Sequence, residues 1–249
     1  LKLLKDRNPQ HKVTIIDDDE RKKLVSDALK RVQTKDKKYS MRAKTALMCI
    51  IEAKQQILDP GEYIHRAGET ADLQIRQAGE IYRIYQRLLS IQRLHDYEDL
   101  IFKVVRLLES DSDACQTYRD LYRHIFVDEY QDLNIGQYRI IRALAPPQSR
   151  ENDICIIGDP DQSIYGFRGS NSEFFNRFGR DYPDARVIHL TRNYRSAKTI
   201  LDASYQVILA DRMTSGEVRT YSQIDGVRTI SMMALSNEKY EAEAIARII

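Results

Sequence analysis

At 249 residues the chain has room for one or two domains with cores of their own. Its 39 Lys and Arg nearly cancel its 37 Asp and Glu, so a formal charge of +2 neither supports nor excludes a nucleic-acid partner, and local clustering has to decide. Three scattered cysteines without a CxxC pair argue against a disulfide framework or thiolate metal site and suit a reducing, cytoplasmic compartment; no apolar run approaches the roughly 20 residues that span a bilayer, and no secretory signal opens the chain.

Leu1–Asp6 has the pattern of an amphipathic helix tail, closed by Asn8-Pro9. With no initiator Met and an opening inside a helix, the sequence is expected to be a fragment of a longer protein. Val13-Thr14-Ile15-Ile16 is short and β-prone. Asp17, Asp18 and Asp19 offer an N-cap for a helix over Glu20–Val32, with Leu24, Val25, Ala28, Leu29 and Val32 at helical spacing. A second helix covers roughly Met41–Leu58 and stops at Asp59-Pro60-Gly61. A third covers Thr70–Leu94, with Ile75, Ala78, Ile81, Tyr82, Tyr85, Leu88 and Leu89 as its buried stripe. Residues 17–94 thus read as a helical, basic subdomain. Its densest run (Lys22, Lys23, Lys30, Arg31, Lys35, Lys37, Lys38) is either a solvated face or a nucleic-acid contact. His95-Asp96-Tyr97-Glu98-Asp99-Leu100-Ile101 opens the next helix, with Asp96 as N-cap and acids in its first turn. That helix ends near Glu109, Asp111–Asp113 makes a turn, and a short helix spans Ala114–Tyr122.

The stretch His124-Ile125-Phe126-Val127-Asp128-Glu129-Tyr130-Gln131-Asp132 organises the rest of the chain. Three apolar residues, two of them β-branched, read as a buried strand with no polar face. Two adjacent carboxylates cannot end such a strand inside a core, because unpaired charge there costs several kcal/mol. They belong at the strand's carboxyl end, where open α/β sheets place ligands. One can hold Mg²⁺ and the next can orient a water, as in a Walker B segment; the plainer reading is a strand followed by an acidic turn. A helix over Ile135–Leu144 stops at Pro146-Pro147. A second buried strand, Asp153–Asp159, and a third, Arg186–Leu190, complete a strand–helix–strand alternation that argues a parallel sheet. A fourth strand over Arg228–Leu235 and a helix over Glu238–Ile249 finish the chain.

Two loops carry further chemistry. Gly158-Asp159-Pro160-Asp161-Gln162-Ser163-Ile164-Tyr165-Gly166-Phe167-Arg168-Gly169 is a tight turn of polar groups followed by two aromatics and an arginine. Such rings can stack bases at roughly 1–3 kcal/mol each, or pack under the loop. Leu190-Thr191-Arg192-Asn193-Tyr194-Arg195-Ser196 delivers an arginine to the same kind of sheet edge, either for a phosphate or for a surface ion pair.

These residues, in this order and spacing, resemble motifs II, III and IV of the superfamily 1A DNA helicases of the UvrD/Rep/PcrA type. Tyr97–Ile101 is similar to the acidic-aromatic motif that precedes motif II there. The resemblance implies an α/β fold: a RecA-like, P-loop NTPase-type parallel sheet with an inserted all-helical subdomain. Residues 1–12 and 95–186 would form RecA-like domain 1A, residues 13–94 the helical subdomain 1B, and residues 187–249 the start of domain 2A. It implies ATP and Mg²⁺ as cofactors, with single-stranded DNA and single-strand/duplex junctions as partners and no membrane. Asp128 would bind Mg²⁺ and Glu129 would polarise the attacking water. Gln162 would contact the γ-phosphate, Tyr194 would stack on adenine, and Arg195 would be the arginine finger. Tyr165, Phe167 and Arg168 would hold single-stranded DNA. The implied activity is ATP-driven translocation on single-stranded DNA and duplex unwinding in repair or replication. One rival is a helicase–nuclease subunit of the RecB/AddA kind, which shares these motifs; another is a non-catalytic DNA-binding module that lost its P-loop.

No Gly-x-x-x-x-Gly-Lys-[Ser/Thr] occurs in the sequence, so the cradle for the β- and γ-phosphates is not encoded here. The family's first motifs are expected before Leu1, and its motifs V and VI after Ile249. Positioning supplies most of the catalysis of phosphoryl transfer. The 249-residue chain by itself is therefore expected to release negligible phosphate from ATP with or without DNA; turnover at ordinary helicase rates would contradict this.

Overall fold

The computed structural model describes residues 13–33, 41–70, 73–149, 151–163, 166, 173–208, 219–226 and 230–248. They fall into two compact units, Leu1–Pro183 and Asp184–Ile249. The expected helix at Leu1–Asp6 and the basic residues Lys35, Lys37 and Lys38 lie outside the described residues.

The first unit opens with a short strand, β1 (Thr14–Ile15), and helix α1 (Asp18–Gln33). Asp17 is the cap: its Oδ1 accepts from the Asp19 and Glu20 N–H groups, while Glu20 accepts from the Asp17 N–H, closing a reciprocal capping box. Leu24, Val25, Ala28, Leu29 and Val32 are all buried, as their spacing demands. On the other face Lys22 and Lys30 pair with Asp19 and Asp27 three residues earlier, so this part of the basic run is balanced locally.

Helix α2 (Ala43–Gln55) ends in a Schellman turn, with Ile57 N–H donating to Lys54 O and Leu58 N–H to Ala53 O. The turn sets Ile57 at φ 58°, where glycine is usual. A β-branched residue there costs about 1–2 kcal/mol, offset by burial of its side chain. Asp59-Pro60-Gly61 does end a helix, but it also starts one. Pro60 is the first residue of α3 (Pro60–Thr70), a position where its missing N–H costs nothing. Asp59 and Glu62 form a second reciprocal cap. The helix α4 (Leu73–Gln92) crosses α3 at Gly79, where a Cβ would lie 2.4 Å from Ile64 Cγ1. Helices α1, α2 and α4 enclose one apolar core built from Ile16, Val25, Ala28, Ile50, Ile81, Tyr82, Tyr85 and Leu89, among others.

Strand β2 (Leu94–His95) runs parallel to β1, with Thr14 opposite Leu94 and Ile15 opposite His95. Helix α5 (Tyr97–Ser110) follows, capped by Asp96, and α6 (Ser112–Leu121) is capped by Asp111. Strands β3 (His124–Val127) and β4 (Asp153–Ile156) pair in parallel, His124 opposite Asp153 through Val127 opposite Ile156. Between them α7 (Ile135–Leu144) begins at an Asn134–Gln137 capping box. Helix α8 (Glu173–Asp181) closes the unit; its Phe174, Phe175 and Phe178 join Tyr130, Tyr138, Val127, Ile154 and Ile156 in a second core.

Four strand expectations need correction, one of them β4, which ends at Ile156 and leaves Cys155 and Ile157 exposed. β3 is not buried on both faces: Ile125 and Val127 are half-buried under the helices, whereas Phe126 is 73% exposed. The apolar run reads as two-sided, but among the described residues helices cover one face of this pair. Arg186–Leu190 and the described part of Arg228–Leu235 form no strand; Val187, Ile188, Leu190 and Met232 are exposed. Among the described residues no strand lies beside these segments, and β-propensity alone does not make one. Among the described residues of the second unit the regular elements are α9 (Lys198–Ile208) and α10 (Glu238–Ile248), and a parallel bridge joins Arg192 to Tyr221.

Helix α2 meets α5 at a fully buried ion cluster. Lys54 Nζ lies 2.6 Å from Asp96 Oδ2 and 2.9 Å from Asp99 Oδ1, and all three side chains are at most 2% exposed. Tyr85 donates its hydroxyl to Asp96, and Gln86 donates to Asp99. Burial pushes the Asp99 carboxyl up, but Lys54, Lys103 and these hydrogen bonds outweigh it and hold Asp99 below the usual carboxylate range. A depressed carboxyl adds stability above its unfolded value, near 4, and loses it as pH falls through the folded one. Lys54→Met should therefore cost about 3–5 kcal/mol at neutral pH by stranding two buried carboxylates. In urea titrations of the chain, that deficit should shrink as pH falls toward the depressed Asp99 value, because the stranded carboxylates of the variant take up protons before the wild-type Asp99 does.

Candidate functional site

The parallel pair β3–β4 sends both of its carboxyl ends to one edge. Asp128 and Glu129 leave β3 there, both exposed, in agreement with the rule that the charged pair cannot sit in the core. Asp128 Oδ1 accepts the Glu129 N–H at 3.0 Å. Glu129 sits in the left-handed region at φ 50°, ψ 46° and leads into a 3₁₀ turn, Tyr130–Asp132. Tyr130 is buried at the centre of an aromatic cluster, edge-on to Phe175 and Phe178, and burial first, then neighbouring Tyr and Asp groups, push its phenol well above the ordinary range. Beside it Tyr138 stacks on Phe174 and donates to Asp181; burial and that bond push its phenol up to about 12. The turn that carries Glu129 is thus anchored by apolar packing on one side.

The loop after β4 arrives alongside. Asp159 caps a second 3₁₀ turn, Pro160–Gln162: its Oδ1 accepts the Asp161 N–H at 3.1 Å and its Oδ2 accepts Gln162 Nε2 at 2.8 Å. Gln131, at 1% exposure, bridges the two edges, donating to Glu129 Oε2 at 2.6 Å and accepting from the Asp159 N–H at 3.1 Å. Asp128, Glu129 and Gln162 are therefore brought to one edge. Tyr165, Phe167 and Arg168 lie outside the described residues.

In the second unit Asn193 makes an Asx turn, its Oδ1 accepting from the Arg195 N–H at 2.9 Å and the Ser196 N–H at 2.8 Å. The extended backbone stops there: the Asn193 N–H donates to Tyr221 O and the Tyr221 N–H to Thr191 O. Tyr194 and Arg195 are both exposed. On a continuous extended strand Arg192 would face away from Arg195 and play no part. Instead its guanidinium lies 4.9 Å from the Tyr194 ring centroid and also donates to Gln223. Residues two apart share one face of an extended chain, so the Arg192–Tyr194 contact is the one that period two allows.

A family model described as the UvrD/REP helicase N-terminal domain matches residues 2–183. The chain belongs to the UvrD/REP helicase family. Membership brings a RecA-like α/β fold with it. The chain is 36% identical over 195 residues to the ATP-dependent DNA helicase PcrA of Staphylococcus aureus (strain Mu50), covering 78% of this chain and 26% of that protein. It is 34% identical over 240 residues to the ATP-dependent DNA helicase UvrD1 of Mycobacterium bovis, covering 95% of this chain and 31% of that protein. The chain thus spans between a quarter and a third of these relatives' length. Within this UvrD/REP chain, Gln131 and Arg192 are the site neighbours that sequence reasoning missed. Gln131 stands inside the motif that follows β3, but burial and a partner 28 residues away give its role no local signal.

Glu129 holds a conformation that a Cβ disfavours by about 1–2 kcal/mol. At ordinary exposed positions Ala is more stable than Gly, because Gly has more unfolded freedom to lose. Here the order should invert: Glu129→Gly should unfold at a higher urea concentration than Glu129→Ala, by about 1 kcal/mol. Ala more stable than Gly would show that the left-handed turn is not held in solution.

Proposed function

We propose that this chain is part of an ATP-dependent DNA helicase that couples ATP hydrolysis to movement on single-stranded DNA and duplex unwinding. The observation that carries the reading is the exposed pair Asp128-Glu129 at the carboxyl edge of parallel strands, with Gln162 delivered to the same edge. In this reading residues 13–94 are a helical insertion in a RecA-like domain formed by residues 1–12 and 95–186, and residues 187–249 begin a second such domain. The closed core of α1, α2 and α4 supports the insertion.

Mg²⁺ is held in nucleotide sites by one or two carboxylates together with phosphates and water. Asp128 fits that donor set: it is exposed at the strand end, with Oδ1 taken by the Glu129 N–H. Bound there, the ion would neutralise charge on the phosphates. Glu129 orients the attacking water, and Gln162 meets the γ-phosphate. Tyr194 stacks on the adenine with Arg192 already lying over its ring. Arg195 places a guanidinium on the transferring phosphate, and Tyr165, Phe167 and Arg168 hold single-stranded DNA. Single-strand/duplex junctions are the substrate of such a motor, and the cytoplasm is its compartment.

Arginine fingers contribute on the order of 10³–10⁵ in rate. In the full-length protein Arg195→Ala should lower kcat by about that factor with single-strand affinity retained, and Arg195→Lys should rescue poorly because an ammonium lacks the planar fork. Arg192→Ala should act on the KM for ATP and leave kcat nearly intact. A kcat collapse with Arg192→Ala and none with Arg195→Ala, read by DNA-stimulated phosphate release, would reverse the assignment.

A further inference from the structure

Gln131 is 1% exposed although it stands two residues from an exposed carboxylate, and both ends of its amide are used. The assignment of those ends follows from chemistry. The Asp159 N–H needs an acceptor and the Glu129 carboxylate needs a donor, so the oxygen faces Asp159 and the nitrogen faces Glu129. The β3–β4 pairing continues past the strands through Ile157 N–H to Val127 O and Tyr130 N–H to Ile157 O. The Gln131 amide adds the next rung, standing where a backbone peptide would.

Two more features show a built contact. Gly158 leaves room for it: a Cβ there would lie 2.6 Å from Gln131 Oε1 and 3.2 Å from the Tyr130 backbone nitrogen. Glu129 occupies a left-handed backbone that local preference does not hold, so its carboxylate needs an outside restraint. Gln131 supplies one at 2.6 Å, and Asp159, fixed by its own cap on Asp161 and its bond from Gln162, holds the other end of the amide.

We propose that Gln131 is a positioning residue for hydrolysis: its buried amide clamps the Glu129 carboxylate against the loop that carries Gln162. This rests on the reading of Glu129 as the carboxylate that orients water. Losing a comparable outer-shell partner typically costs 10–100-fold in activity.

The test uses the full-length protein with ATP, Mg²⁺ and single-stranded DNA. Gln131→Met keeps an unbranched chain of similar volume without donor or acceptor. It should lower kcat by about 10–100-fold with the KM for ATP and DNA affinity little changed. Glu129→Gln should abolish steady turnover, and single-turnover rates of the double variant should be no lower than those of Glu129→Gln alone. If Glu129→Gln retains turnover, the reading of Glu129 fails. If Glu129→Gln is inactive while Gln131→Met keeps wild-type kcat, or if the two losses multiply, the clamp alone is overturned. Should Gln131→Met fail to fold in a thermal melt, Gly158→Ala keeps the amide but pushes it from behind. The same loss in kcat is expected of it, and wild-type kcat there would also overturn the proposal.

Discussion

A lysine ammonium buried between two carboxylates ties the first unit together. Lys54 ends α2, and Asp96 and Asp99 open α5, 42 and 45 residues away. The charges balance only with Lys103, whose Nζ lies 3.4 Å from Asp99 Oδ2. Tyr82 and Tyr85 line the site, with Lys54 over both rings; burial, then the nearby carboxylates, keep both phenols neutral. A buried pair of this kind is poor evidence of net stability, because desolvation offsets much of the attraction. It is better evidence of registry, since any slip of α5 against α2 strands a charge. That registry matters downstream: α5 packs on α7, and α7 begins just after the turn that carries Glu129 and Gln131. Arg106 adds a second tie between the same regions, donating to Ile57 O and pairing with Glu62.

The strand-end edge combines two opposite demands. Its carboxylates are exposed at the strand end, while its turn is anchored on buried Tyr130 and Gln131. Left-handed strain at Glu129 is tolerated because those anchors over-determine the backbone. The Glu129–Gln131–Asp159–Gln162 line of hydrogen bonds is a continuous physical link between two loops that come from different strands.

In the second unit the described β-prone segments pair very little. Among the described residues Thr191–Asn193 has one rung, with Tyr221. The Asx turn at Asn193 then takes over, satisfying the N–H groups of Arg195 and Ser196 before α9 begins. This places Tyr194 and Arg195 on a turn held by a side chain, with Arg192 covering the tyrosine ring.

Much was legible in the sequence because its signals are local. The cap at Asp96, the apolar spacing of α1 and α4, and the bounds Ile135–Leu144 depend on residues three or four apart, and they hold. The carboxylate pair could be placed at a strand's end from desolvation cost alone, and three motifs in order pointed to the helicase family that the chain belongs to. What the tertiary structure decided is pairing and burial between distant residues. Asp99 reads as an acid of a helix's first turn and is instead a core counter-ion; Asp59-Pro60-Gly61 reads as a stop and is also a start. Phe126 reads as buried and is open, Arg186–Leu190 reads as a strand and finds no edge, and Gln131 is one letter of a motif until its burial shows what it holds. Apolar runs and polar letters state a demand for burial or for a partner, but whether a neighbour meets it depends on residues tens of positions away, which no local pattern encodes.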